Sequence, residues 1–155
     1  MIASEPAIVH SMTSYSDVMG YLHRIRITRE VKKSVANRLL EEAAGENLSN
    51  AFTRLDNLSQ LQNDWDGHGA RKISGYVIDN LRDVLLISDD DDWKYWMISP
   101  APNGTLGLQS KSHIASISIG DEEFSFYSSK NDVEDWDDHV KFTPEMLLET
   151  MRRIV

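Results

Sequence analysis

The apolar positions of this chain follow two regimes. Up to Ile87 they recur every three or four residues, as a helix facing a core requires, whereas beyond Trp93 they alternate. A short helix is expected over Tyr15 to Ile25, using Val18, Met19 and Leu22. Val31, Val35, Leu39 and Ala43 then recur at intervals of four, and Gly45 supplies a stop. A further helix starts near Glu46 and places Leu48, Phe52, Leu55, Leu58 and Leu61 on one stripe. Ser74 is a candidate N-cap for the next, whose buried face is Val77, Ile78, Leu81, Val84 and Leu85. That helix should end before the Asp89–Asp92 run, because carboxylates at a helix C-terminus oppose the macrodipole.

Strand signals begin at Tyr95-Trp96-Met97-Ile98, which runs into Pro100 and Pro102. Asn103-Gly104 is the best hairpin signal, followed by Thr105 to Leu108. Residues Ile114 to Ile119 alternate strictly, Gly120-Asp121 turns the chain, and Phe124 and Phe126 resume the alternation. Thr143-Pro144-Glu145 opens a last helix, with Met146, Leu147, Thr150, Met151 and Ile154 toward the sheet. Helices followed by strands, without βαβ alternation, predict an α+β fold. Its expected form is N-terminal helices, a three- to four-stranded antiparallel meander and a C-terminal helix, in one domain over residues 1–155. Residues 1–14 are a candidate flexible arm.

Composition narrows the class. The 155 residues are 41% hydrophobic, enough for a real core. Cysteine is absent, which excludes disulfides, thiolate metal sites and cysteine nucleophiles. The 25 acids outnumber the 16 Lys and Arg, for a formal charge of −9. Such a field repels nucleic acid and anionic membrane over most of the surface. The opening residues carry no basic, apolar signal pattern and no apolar run approaches a membrane span, so a cytoplasmic location is the expectation. The charge is also uneven. A basic stretch holds Arg24, Arg26, Arg29, Lys32, Lys33 and Arg38 against Glu30 alone, while most acids lie beyond residue 80.

The segment Leu58 to Ala70, carrying Asp64-Trp65-Asp66-Gly67-His68-Gly69, joins two expected helices. Glycines on both sides of His68 permit positive φ, and Asp66 can bond the amides of such a turn. Trp65 continues the preceding apolar stripe and is expected over the core as an anchor. The segment therefore reads first as a structural clasp. Trp65-Asp66-Gly67-His68-Gly69-Ala70, with Leu58 and Leu61 before it, resembles the WDGxGA-type motif of small bacterial proteins, mostly of unassigned function. Ser99-Pro100-Ala101-Pro102-Asn103-Gly104 is similar to a later turn of that pattern, and the likeness spans residues 55–128. It departs in His68, where Tyr is usual, and in Gln109, where a Glu-Trp pair often follows. The resemblance implies a mobile-element or toxin–antitoxin neighbourhood and no settled activity.

Catalytic readings centre on the same loop. Asp64, Asp66 and His68 could serve a small hydrolase or ligand-binding protein, with His68 as base and an aspartate orienting it. No nucleophile elbow accompanies them, and neither phosphate-binding glycine pattern occurs. A calcium loop fails, because Ile73 falls where the closing glutamate belongs. No cofactor or metal is expected.

Two acidic clusters each surround an indole. Asp89, Asp90, Asp91 and Asp92 precede Trp93, while Asp135, Trp136, Asp137 and Asp138 follow Asp132 and Glu134. Carboxylates around an aromatic anchor suit docking of a basic protein. The leading expectation is a non-catalytic, antitoxin- or immunity-like domain that neutralises or regulates a basic partner through these nine residues. The alternatives are the Asp64/Asp66/His68 enzyme or ligand binder, and a nucleic-acid-binding regulator using the basic helix 24–38.

Overall fold

The structure, a computed structural model, describes residues 45–155. The helices expected before Gly45, the residue 1–14 arm and the basic residues Arg24 to Arg38 lie outside the described residues. Helix α1 runs Glu46–Ser59 and α2 runs Gly75–Ile87. A 3-10 turn over Asp90–Trp93 leads into strands β1 (Trp96–Pro100), β2 (Leu106–Ser110), β3 (Ile114–Ile119), β4 (Glu123–Lys130) and β5 (Val133–Lys141). Helix α3, Pro144–Ile154, closes the chain. Among the described residues no helix is long and apolar enough to cross a membrane.

The sheet is an antiparallel meander in the order β1-β2-β3-β4-β5, five strands rather than three or four. The additional strand is β5, read from sequence as an acidic segment. Carboxylates have low strand propensity, and an edge strand need not show apolar alternation. Its residues pair with β4 all the same, from Lys130 opposite Val133 to Glu123 opposite Lys141, with an irregularity between Phe124 and Phe126.

One face of the sheet meets all three helices. Trp96, Ile98, Leu106, Leu108, Ala115, Ile117, Ile119, Phe124 and Phe126 bury against Leu55 and Leu58 of α1, Val77, Leu81, Val84 and Leu85 of α2, and Leu147, Met151 and Ile154 of α3. Each buried leucine-sized side chain contributes about 1.5–3 kcal/mol, so this single layer is the main source of stability. Two details differ from expectation, and the stop expected at Gly45 ends a helix outside the described residues. Helix α1 stops at Ser59, so Leu61 packs from the following loop rather than the helix stripe. Met146 is largely exposed, and Leu148 takes its place in the buried face of α3. Gly45 stands at the N-cap of α1, where the Asp90 carboxylate comes so close that an added Cβ would lie 2.3 Å from its Cγ.

The turns are fixed by local chemistry. Gly104 N donates to Ala101 O at 3.0 Å and Ala101 N to Thr105 O at 2.9 Å. Gly104 has φ of 88°, so the hairpin closes through Pro102-Asn103 with a left-handed glycine after them. Thr143 caps α3 by accepting from Met146 N at 3.1 Å.

Candidate functional site

The loop between α1 and α2 spends its polar groups on its own backbone. Asp66 Oδ1 accepts the amides of His68 at 2.8 Å and Ala70 at 3.0 Å. Asp64 Oδ1 accepts Gly69 N at 2.7 Å, and Asn63 Oδ1 accepts Lys72 N at 3.0 Å. The positive φ of Gly67 (73°) and Gly69 (85°) flanks His68, whose Nδ1 lies 2.8 Å from Asp66 O. The amide of His68, then that of Ala70, holds Asp66 below its ordinary pKa. A carboxylate so satisfied is a weak proton acceptor. Trp65 does not join the core as an anchor; half-buried, it spans the loop and donates its indole N–H to Arg71 O at 2.9 Å.

The clasp also grips the sheet. Arg71 N donates to Pro102 O at 2.8 Å and Ser74 N to Gly104 O at 2.9 Å, which pins the loop on the β1–β2 turn. Ser74 Oγ donates to Asp121 Oδ1 at 2.8 Å, and Asn80 reaches Gly120 O and Asp121 O, which fixes the β3–β4 turn. Asp64, Asp66 and His68 thus sit on a segment that positions α2 over two hairpins.

The first acidic cluster is largely committed to the fold. Asp89 and Asp92 form a reciprocal capping box for the 3-10 turn. Asp90 accepts Leu48 N at 2.8 Å and Asn47 Nδ2 at 2.9 Å, so it caps α1 from 42 residues away. Asp92, its side chain 9% exposed, takes two bonds from Arg152. Trp93, expected as an aromatic anchor contacting the partner, is instead a core residue at 2% exposure, and its Nε1 donates to Ser88 Oγ at 2.7 Å. Asp91 alone among these residues is exposed without a side-chain bond to the described residues.

The second cluster is arranged differently. Asp135 pairs with Arg153, whose guanidinium also stands 5.0 Å over the Phe126 ring. Arg152 and Arg153 therefore tie the two clusters to the last turn of α3. Asp137 accepts the amide of His139 at 3.0 Å. Trp136 and Asp138 remain at the surface, and Trp136 is 62% exposed.

Trp136 belongs to a row that the sequence alone does not reveal. Met97 lies opposite Gln109, Gln109 opposite Ser116, Ser116 opposite Tyr127, and Tyr127 opposite Trp136. These five side chains cross all five strands on the face that no described helix covers. Ile114 stands on the same face at 69% exposure, and Met97 is 50% exposed. Next to the row, Ser99, Gly107, Ser118 and Ser125 form a second row of small residues. The resulting depression, about 390 Å³, runs from Pro100 to Tyr127 and Asp138. Tyr127 donates its hydroxyl to Glu134 at 2.9 Å, which keeps the phenol protonated to higher pH. Met97, Ile114 and Tyr127 were missed because one apolar residue per strand on a serine-rich face leaves no periodic signal.

No family model, curated protein or solved structure matches the chain.

Proposed function

We propose that the protein is a non-catalytic, antitoxin- or immunity-like binding domain that engages a basic protein through the sheet face left uncovered by the described helices and the acidic strand beside it. The observation that carries this reading is the row from Met97 to Trp136. Among the described residues, helices cover one side of the sheet, while the other exposes Met97, Ile114, Tyr127 and Trp136. Soluble domains keep such apolar groups scattered unless a surface is used, and aromatic anchors dominate the energetics of protein interfaces. Asp138 and Glu134 flank the row without being consumed as salt bridges among the described residues. Their field would speed association with a cationic partner and make it salt-sensitive.

The contact set is narrower than the sequence suggests. It keeps Trp136, Asp137 and Asp138 and adds Met97, Ile114 and Tyr127. Asp89, Asp90, Asp92 and Asp135 act within the fold and contribute charge at a distance, as exposed Asp91 does. The Asp64, Asp66 and His68 loop is a clasp in this reading. The mobile-element or toxin–antitoxin setting implied by the motif accords with a neutralising role.

Affinity capture from the host at low salt tests the proposal, using wild type, Trp136→Ser with Tyr127→Ser, and Asp66→Asn in parallel. One stoichiometric basic protein should bind wild type and the folded clasp variant, leave with rising salt, and fail to bind the face variant. Capture that ignores the face substitutions, or recovers nucleic acid instead, overturns the reading.

A further inference from the structure

We infer that the edge of β5, unpaired among the described residues, accepts an extended basic segment of the partner as a sixth strand. The inference rests on the proposed binding function and specifies how the partner is held. The two edges of the sheet differ. Strand β1 is five residues long and contains Pro100, which cannot donate to a ladder, and Ile98 O already accepts Arg54 Nε at 3.1 Å. Strand β5 is nine residues long. Its register with β4 is unbroken from Val133 to Asp137, before the irregularity opposite Phe124 and Phe126. Among the described residues, no backbone hydrogen bond reaches β5 from any element but β4. The outward N–H and C=O groups of Val133 to Asp137 are therefore a ready template for another strand.

The side chains on that template decide the occupant. Glu134 and Trp136 point to the uncovered face, while Asp135 and Asp137 point to the helix-covered one, because they oppose Ser129, Tyr127, Ser128 and Phe126 respectively. A second copy paired on this edge would set carboxylates against carboxylates, a destabilising arrangement in either direction. A strand with Lys or Arg at alternate positions meets the opposite condition. Its cations on one side reach Glu134 and the face of the Trp136 indole, and those on the other reach Asp137. The same acids thus exclude self-pairing and select a basic strand.

Full-length protein provides the test, with a synthetic ten-residue peptide alternating Lys or Arg with Val or Thr as the probe. A second peptide of the same sequence carries methyl groups on its backbone nitrogens, which keeps the charge and removes the ladder donors. The unmethylated probe should bind at least about tenfold more tightly and slow amide exchange across Val133 to Asp137. Trp136→Ser should weaken it without unfolding the protein. Equal binding of both peptides overturns the sixth strand while leaving a side-chain docking face intact. Binding of neither, to wild type and to a variant with its basic stretch neutralised alike, overturns the inference and the proposed function together. Binding that appears only after Arg24, Arg26, Arg29, Lys32, Lys33 and Arg38 are changed to Gln assigns the edge to this chain's own basic stretch and overturns the partner strand. Self-association displaced by the probe assigns it to a second copy, with the same consequence.

Discussion

Arg152 holds Asp92 by two parallel bonds, Nε to Oδ1 at 2.6 Å and Nη2 to Oδ2 at 2.8 Å. The carboxylate is nearly enclosed and the guanidinium half-exposed, so the pair joins the 3-10 turn to the C-terminal turn of α3. Burial raises the pKa of Asp92, but the Arg152 bonds, the Asp89 amide and the Arg152 charge outweigh it, and the net shift is downward. A depressed carboxyl stabilises the fold above its unfolded pKa. Stability from this pair should therefore be complete above the ordinary value of 3.8 and lost as pH falls through the lower folded value. Asp92→Asn should cost about 1–3 kcal/mol at neutral pH and flatten the acid limb of the urea midpoint against pH.

Asp90 and Asp91 are neighbours in sequence with different work. Removing the Asp90 cap should cost about 1–2 kcal/mol through loss of the bonds to Leu48 N and Asn47. Asp91→Ala should stay within about 0.5 kcal/mol. Gly45→Ala forces the Asp90 carboxylate away from the same helix end, so the Gly45→Ala, Asp90→Ala double variant should be no worse than the worse single. Additive losses in thermal melts would show that Gly45 and Asp90 act independently.

The two clasp glycines are needed for backbone conformation and not for space. An added Cβ at Gly67 or Gly69 meets nothing within 4 Å, yet both have positive φ. Alanine at either should cost about 1–3 kcal/mol. Gly75, equally open and without positive φ, is the control, and Gly75→Ala should be neutral or slightly stabilising. Equal effects at the three positions would contradict the strain argument.

His139 reports on the β4–β5 pairing. Its Nδ1 lies 3.0 Å from Glu123 Oε1, and that hydrogen bond, then the Glu123 charge, raises its pKa above 6.5. A raised histidine pKa stabilises below the unfolded value, and the contribution disappears as pH rises through the folded one. NMR titration should show the His139 midpoint moving down toward 6.5 in Glu123→Gln. An unchanged midpoint would place the cause with Asp137 and Asp138 instead.

Trp136 and Trp93 are also separable by fluorescence. Acrylamide should quench Trp136 readily and leave Trp93 protected. Trp136→Ser should remove the most accessible component while shifting stability by no more than about 0.5 kcal/mol.

Sequence periodicity located most of the core and little of the candidate site. Helix α2 begins after Ser74 as expected, although Ser74 Oγ binds Asp121 rather than capping the helix. Strands β3 and β4 follow the alternation of Ile117, Ile119, Phe124 and Phe126, because one face is buried and the other polar. Strand β5 lacked that contrast: Val133, Glu134, Trp136, Asp137 and Asp138 are exposed whichever way they point. The roles of Asp90, Asp92 and Asp135 were hidden for another reason. Each is set by a partner far along the chain, at Leu48, Arg152 or Arg153, and local composition carries no trace of it. The Met97-to-Trp136 row becomes visible only when register brings single residues of five strands together.

The strict order of the meander has a kinetic side. Each strand pairs with its neighbour in sequence, so the sheet can grow one hairpin at a time, with short loops to close at each step. The expensive closures are those that bring α1 to Asp90 and the clasp to the Pro102 turn. Docking of the two earlier helices should therefore be the slow step of folding. Until it happens, the apolar side of a nearly finished sheet stands in water, where its hazard is aggregation.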